Sequence, residues 1–158
     1  ITQSQIQDLF DYNDGNLYWK RRVSPTAGAG EVAGSSDCSE GYRNININGK
    51  AYRAHRVVFL WHHGYLPEAI DHIDGDRVNN RIENLRGCTR AQNQQNRRKS
   101  NHNTSGYKDV VKNGNKWIVR MTVDGKRRSF GSYYDIEVAN FIAVAMRNKY
   151  HEKFARHF

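Results

Sequence analysis

The sequence of 158 residues predicts an α+β fold built as two small domains in tandem. Three observations carry this. Charge is segregated: residues 1–80 hold 8 Lys/Arg against 10 Asp/Glu, residues 81–100 hold 6 against 1, and residues 101–158 hold 11 against 5. Two Asx-Gly dipeptides, Asn48-Gly49 and Asp124-Gly125, sit between short alternating runs. They read as hairpin turns, because both central positions of such a turn need positive φ. A polar, aperiodic stretch, RRKSNHNTSG (97–106), separates two regions with their own strand and helix patterns. The expected boundaries are a first domain over residues 1–96, a basic linker over 97–102 and a second domain over 103–158.

The elements follow in order. ITQSQIQDLF carries Ile1, Ile6, Leu9 and Phe10 at weakly helical spacing. NDG at 13–15 is a turn signal, and Leu17 and Trp19 alternate with polar neighbours as in a strand. Residues 23–41, rich in Gly, Ser and Ala, predict loop with at most a short strand. NINI and KAYRAH flank Asn48-Gly49 as a hairpin, and RVVFLWHHG (56–64) reads as a short helix ending at Gly64. RIENLRGCTRAQNQQNRR reads as a loop entering a helix near Thr89, whose hydroxyl suits an N-cap. Beyond the linker, strands are expected at Lys108–Val111, Lys116–Val123 and Lys126–Gly131. Asp135 then stands as N-cap of a helix over IEVANFIAVAMRNKY.

Several function classes drop out. Cys38 and Cys88 lie fifty positions apart without C-x-x-C or H-x-x-x-H, which argues against structural zinc and against a disulfide framework. Runs such as VVFLW (57–61) are too short to span a membrane, and no secretory signal is visible, so a soluble intracellular protein is expected. The formal charge of +9 lies wholly downstream of residue 80 and points to a polyanionic partner for the C-terminal half.

The stretch DHIDGDRVNNRIENLRGCTRAQN (71–93) holds the chemistry. A calcium loop needs oxygen ligands at positions 1, 3 and 5, Gly at 6 and Glu at 12. Registers starting at Asp71 or Asp74 both fail. Phosphodiester hydrolysis needs a base for water and a cation against the phosphate charge. An imidazole titrates near neutrality, and Asp and Asn oxygens suit Mg²⁺ or Mn²⁺. Asp74 and Asp76 read as turn residues, because Asx side chains close turns locally. His62 and His63 read as surface or C-cap residues, and His55 as either support for the site or ordinary packing. His102, His151 and His157 carry no assigned role.

DHIDGDRVNNRIENLR, with His72, Asn84 and Asn93 at spacings of eleven and eight intervening residues, resembles the HNH endonuclease motif. It is closest to the phage and intron-encoded homing branch in which Asn replaces the final His. LFDYNDGNLYWK and YRNININGKAYRAHRVVFLWHHGYLP resemble the usual lead-in, so the likeness covers about residues 1–100. The resemblance implies a ββα-metal core at about 66–96, with His72 as general base and Asn84 orienting it. It also implies that Asp71 and Asn93 hold one divalent ion, Mg²⁺ or Mn²⁺; Asn96 is off by three for that role. It implies a DNA endonuclease of a phage-encoded, intracellular kind acting on double-stranded DNA. The alternative is a DNA-binding regulator that keeps the fold without activity.

NTSGYKDVVKNGNKWIVRMTVDGKRRSFGSYYDIEVANFIAVAMRNKY resembles the ethylene-response-factor (APETALA-like) DNA-binding domain over about 103–150. Asp109 stands where that family usually has Gly, and Val138 where it has an acidic or small residue. Strand alternation independently turns Ile118, Arg120, Thr122, Arg127 and Ser129 outward, as a surface that can enter a major groove. Arg97, Arg98 and Lys99 are expected on the DNA backbone. With no heptad or long apolar stripe to pair two copies, a monomer that nicks one strand is expected.

Overall fold

The computed structural model describes residues 1–25, 27–37 and 41–157. Cys38 therefore lies outside the described residues, while Cys88 is a free, buried thiol. Mixed helix and sheet is confirmed, in two compact units, Ile1–Thr89 and Arg90–Phe158. The division falls ahead of the expected 97–102 linker. The short helix before it goes with the second unit, where Lys108 Nζ donates to Gln95 O at 2.9 Å. Among the described residues no helix is long and apolar enough to cross a membrane.

In the first unit α1 (Gln3–Leu9) begins with a reciprocal cap: Thr2 Oγ1 accepts from Gln5 N, and Gln5 Oε1 accepts from Thr2 N. β1 (Phe10–Asn13) and β2 (Asn16–Trp19) form a hairpin whose turn places Asp14 at φ 49° and Gly15 at φ 84°. Gly15 is required twice over. A Cβ there would sit 2.8 Å from Arg81 N, and its φ lies in the left-handed region. β3 (Ser35–Asp37), β4 (Tyr42–Ile47) and β5 (Lys50–Arg53) form a three-stranded antiparallel sheet with β4 in the centre. Asn48 and Gly49 take the positive φ values their hairpin needs, 52° and 78°.

α2 (Ala54–His63) is the core helix of this unit. Val57, Val58, Phe59 and Leu60 are all buried, so this helix is apolar nearly all round and belongs inside. Gly64 at φ 74° ends it in a left-handed cap, as the sequence predicts. Around α2 pack Ile6, Phe10, Leu17, Trp19, Ile45, Ile47, Ile70 and Leu85, with the Phe10 and Trp19 rings 4.4 Å apart. Trp61 O receives the side chains of Gln3 and Gln7 at 2.9 and 3.0 Å, which ties α1 to α2.

β6 (Ala69–His72) pairs antiparallel with β7 (Leu85–Cys88), a strand that the loop reading of RIENLRGC misses. Burial and the nearby Asp71 carboxylate raise the Cys88 thiol to about 11, so it is a packing residue and no nucleophile at neutral pH.

In the second unit α3 (Arg90–Gln95) precedes β8 (Val110–Asn113), β9 (Lys116–Val123) and β10 (Lys126–Tyr133), with β9 central. Val110, Val119, Met121 and Val123 face α4 (Ile136–His151) and its buried Ala139 and Ala143. Asp135 caps α4 by accepting from Glu137 N and Val138 N. Three strand bounds differ from expectation. β8 starts and ends two residues late; Asp109, just ahead of it, takes φ 65°, in the left-handed region. β10 runs two residues further, past a bulge between Ser129 and Ser132 near Gly131 at φ 110°.

Asp109 has a structural role of its own. An Asp tolerates the left-handed region, and its carboxylate accepts from the fully buried Arg147 at 3.0 Å. Arg147 further donates to Lys108 O at 2.7 Å and to His157 Nδ1 at 3.2 Å. His151, given no role above, meets Thr122 O at 3.0 Å and joins the end of α4 to the sheet.

Candidate active site

His72 ends β6 and is 5% exposed, with Asp71 beside it at 3%. Adjacent strand residues point to opposite faces, so the two share an end of the strand rather than a face. Asp71 meets its cross-strand partner Arg86, whose Nε and Nη2 reach Oδ2 at 2.8 and 2.7 Å. His72 instead turns toward His55 and Tyr42, at ring separations of 5.1 and 6.1 Å.

Its hydrogen-bond partner is a residue that sequence reasoning did not select. His72 Nε2 lies 3.0 Å from Oδ1 of Asn80, which is 3% exposed. An amide oxygen only accepts, so Nε2 is the donor in this contact. Asn84, expected to orient His72, does something else. Its Oδ1 accepts from Asp74 N at 3.0 Å, and its Nδ2 donates to Asp74 Oδ1 at 2.9 Å and Asn79 O at 2.8 Å. Asn84 thus closes the connection between β6 and β7, with the 3-10 turn Ile82–Asn84 at its end.

Asp74 is the hub of that connection, as its turn reading anticipates. It accepts from Asp76 N at 2.8 Å and Asn79 Nδ2 at 2.7 Å. Burial alone would raise its carboxyl, but these bonds and those from Asn84 outweigh it and hold it below its ordinary value. Tyr12 Oη accepts from Ile82 N at 3.1 Å, and Arg81 pairs with Asp14 at 2.7 Å, so the first hairpin braces the same connection. Asn80 is held rigidly in front of His72 as a result.

His55, the first buried turn of α2, is lowered to about 3, chiefly by burial and then by His72, Arg56 and Arg53. It is a neutral imidazole throughout the physiological range. Asn93 is half-buried on α3, in the second unit, and Asn96 is buried just beyond that helix. Among the described residues no three His, Cys, Asp or Glu side chains group as a metal cluster. The Asp71 carboxylate is a hard oxygen donor of the kind Mg²⁺ or Mn²⁺ takes.

On the second unit Arg120, Thr122, Arg127 and Ser129 are exposed, and the register sets Arg120 opposite Ser129 and Thr122 opposite Arg127. The four side chains therefore share the sheet face away from α4. Ile118, expected among them, is a correction: it is 8% exposed, flanked on the central strand by Val111 and Ser132. Arg97, Arg98 and Lys99 are exposed, with Lys99 Nζ on Gly106 O at 2.7 Å.

A family model described as HNH endonuclease matches residues 52–95, from β5 through α3. Protein 3.8 of Escherichia phage T7 is similar, at 35% identity over 111 residues, spanning 68% of this chain and 91% of that relative. No solved structure matches. The matched segment carries β6, the Asp74 connection and β7, and the chain belongs to the HNH endonuclease family.

Proposed function

We propose that this chain is a divalent-metal-dependent endonuclease that hydrolyses phosphodiester bonds in double-stranded DNA, with the chemistry in a ββα-metal core at about residues 66–96. The single observation that supports it most is the His72–Asn80 contact at 3.0 Å. It fixes the direction of the imidazole that the family resemblance makes the general base for an attacking water. Orientation is as important as basicity here, since a freely turning ring would present the wrong nitrogen half the time.

Asp71 and Asn93 are the oxygen donors that the family resemblance assigns to one Mg²⁺ or Mn²⁺. The ion would supply charge stabilisation at the scissile phosphate and the departing oxygen. Arg86 keeps the Asp71 carboxylate fixed in its strand. The products would be 5′-phosphate and 3′-hydroxyl ends, as the resemblance implies. The exposed Arg120, Thr122, Arg127 and Ser129 support a DNA-reading role for the second unit, in the manner of the APETALA-like domain, with Arg97, Arg98 and Lys99 on phosphates. One site per chain supports nicking by a monomer, because antiparallel strands need two sites related by a two-fold axis.

Supercoiled plasmid incubated with the protein and Mg²⁺ or Mn²⁺, with EDTA as control, tests the reading. Open-circular product that depends on the metal is expected. Intact plasmid under every condition, with retained DNA binding, favours the inactive regulator.

A further inference from the structure

His55 stands on the first turn of α2, three and four residues ahead of Val58 and Phe59, so it shares their buried face. Its ring lies 5.1 Å from the His72 ring at an interplanar angle of 76°, an edge-to-face contact. The Tyr42 ring is a second neighbour, at 5.1 Å and 46°.

Core packing alone accounts poorly for a histidine here. Val57, Val58, Phe59 and Leu60 fill the inside of α2 with apolar atoms, whereas a ring with two nitrogens loses hydration on burial. Burial first, and then the charges of His72, Arg56 and Arg53, lower His55 to about 3, so it brings no charge of its own to the site.

The contact answers a mechanical need. A histidine ring turns over a broad range about its Cβ–Cγ bond. Asn80, at 3.0 Å, fixes the single atom Nε2 of His72, and a ring held at one atom still rocks about that atom. A second ring set across the first stops the rocking. α2 suits the task because its inner face is packed, and a support must itself be rigid.

We infer that His55 is a positioning residue whose ring sets the plane of the His72 imidazole, while Asn80 sets its direction. The inference rests on the nuclease reading for what that orientation serves. Ordinary packing asks only for volume at position 55; a positioning role asks for a ring.

The test uses the full chain with histidine labelled at its ring nitrogens, in metal-free buffer. The Nε2–H cross-peak of His72, assigned by its loss in His72→Gln, reports how firmly the ring is held on Asn80. His55→Leu fills the space without a ring and should lose that cross-peak to solvent exchange. His55→Phe restores a ring without nitrogens and should keep it. In plasmid cleavage with Mg²⁺, His55→Leu should lower the saturated rate about tenfold and leave the half-saturating DNA concentration within about twofold. His55→Phe should return the rate to within about threefold of wild type. Urea midpoints check folding, and His55→Gln replaces His55→Leu if the latter unfolds early. A wild-type cross-peak and rate in folded His55→Leu overturn the positioning role, as does a folded His55→Phe no better than His55→Leu. Should the wild-type protein cut nothing while His55→Leu still loses the cross-peak, the positioning role stands and the nuclease reading falls.

Discussion

The two compact units keep their polar groups in opposite places. The first is nearly neutral and buries Asp71, His72, Asn80 and His55, none more than 9% exposed. The second holds 15 Lys/Arg against 5 Asp/Glu and leaves Arg120, Thr122, Arg127 and Ser129 in the open. Yet the second unit has the most deeply buried charge of the described residues, Arg147 at 0% exposure. Its recorded partners, Asp109, Lys108 O and His157, join α4 to the start of the sheet. Burial of an ionisable group is therefore no mark of a site by itself. What distinguishes His72 is the buried amide of Asn80 held 3.0 Å from its ring, within the segment that the family model matches.

The comparison predicts a clean division between rate and affinity. His72→Ala should lower cleavage by about 10²–10⁴ and leave duplex affinity nearly unchanged. Single-turnover rates and anisotropy titrations on the same preparation check this, and wild-type cutting would remove His72 from the role.

The reciprocal change lies in the second unit. Arg120→Ala and Arg127→Ala should each weaken binding by about 1–3 kcal/mol at the preferred sequence, with the rate at saturating DNA unaltered. Selection from a random duplex library adds the sharper distinction. A base-reading arginine shifts the selected sequences, whereas a phosphate contact weakens all of them alike. A loss of saturated rate in either variant would break the division.

Within the first unit, Asn80 and Asn84 should separate. Asn80→Ala should lower kcat about tenfold by freeing the His72 ring. Asn84→Ala should instead cost about 1–3 kcal/mol of stability, because it strips partners from Asp74 and from Asn79 O. Urea unfolding and kcat measured side by side decide it, and interchangeable effects would refute the assignment of Asn80.

The last distinction is in pH dependence, which differs between the units. His55 has a folded value of about 3 against an ordinary 6.5, because burial and neighbouring cations oppose its protonation. The unfolded chain binds the extra proton in that interval, so stability falls as pH drops from about 6.5 toward 3. Lys108 is lowered to about 8 from 10.5, first by burial. There the unfolded chain again binds more protons, so stability rises as pH climbs from about 8 to 10.5. His55→Leu should flatten the acid limb of urea midpoints against pH, and Lys108→Met the alkaline rise. Unchanged profiles would mean that neither base is buried as charged groups resist being.

Much of the fold was legible because its rules are local. Asn48-Gly49 and Asp124-Gly125 supply positive φ at consecutive positions, Gly64 ends α2, and Asp135 starts α4 with a carboxylate on orphan amides. The spacing of Asp71, His72 and the later asparagines likewise identifies the family, since a motif is a fixed count along one chain. Sheet alternation places Arg120, Thr122, Arg127 and Ser129 correctly, but it fails for Ile118, where neighbours on both sides of a central strand remove the exposure that a lone strand would have.

What the sequence left open was choice among chemically equal partners. Asn79, Asn80 and Asn84 offer the same amide within six positions, and any of them satisfies a rule that says an amide should face an imidazole. The folded connection decides: Asp74 takes up Asn79 and Asn84, and only Asn80 comes within hydrogen-bonding distance of His72. The contact of His55 with His72 was equally invisible, because residues from two elements meet only after the chain has folded. Local preference depends on covalent neighbours and can be read along the chain; a hydrogen bond or a shared field depends on direction and distance in space, which packing alone fixes.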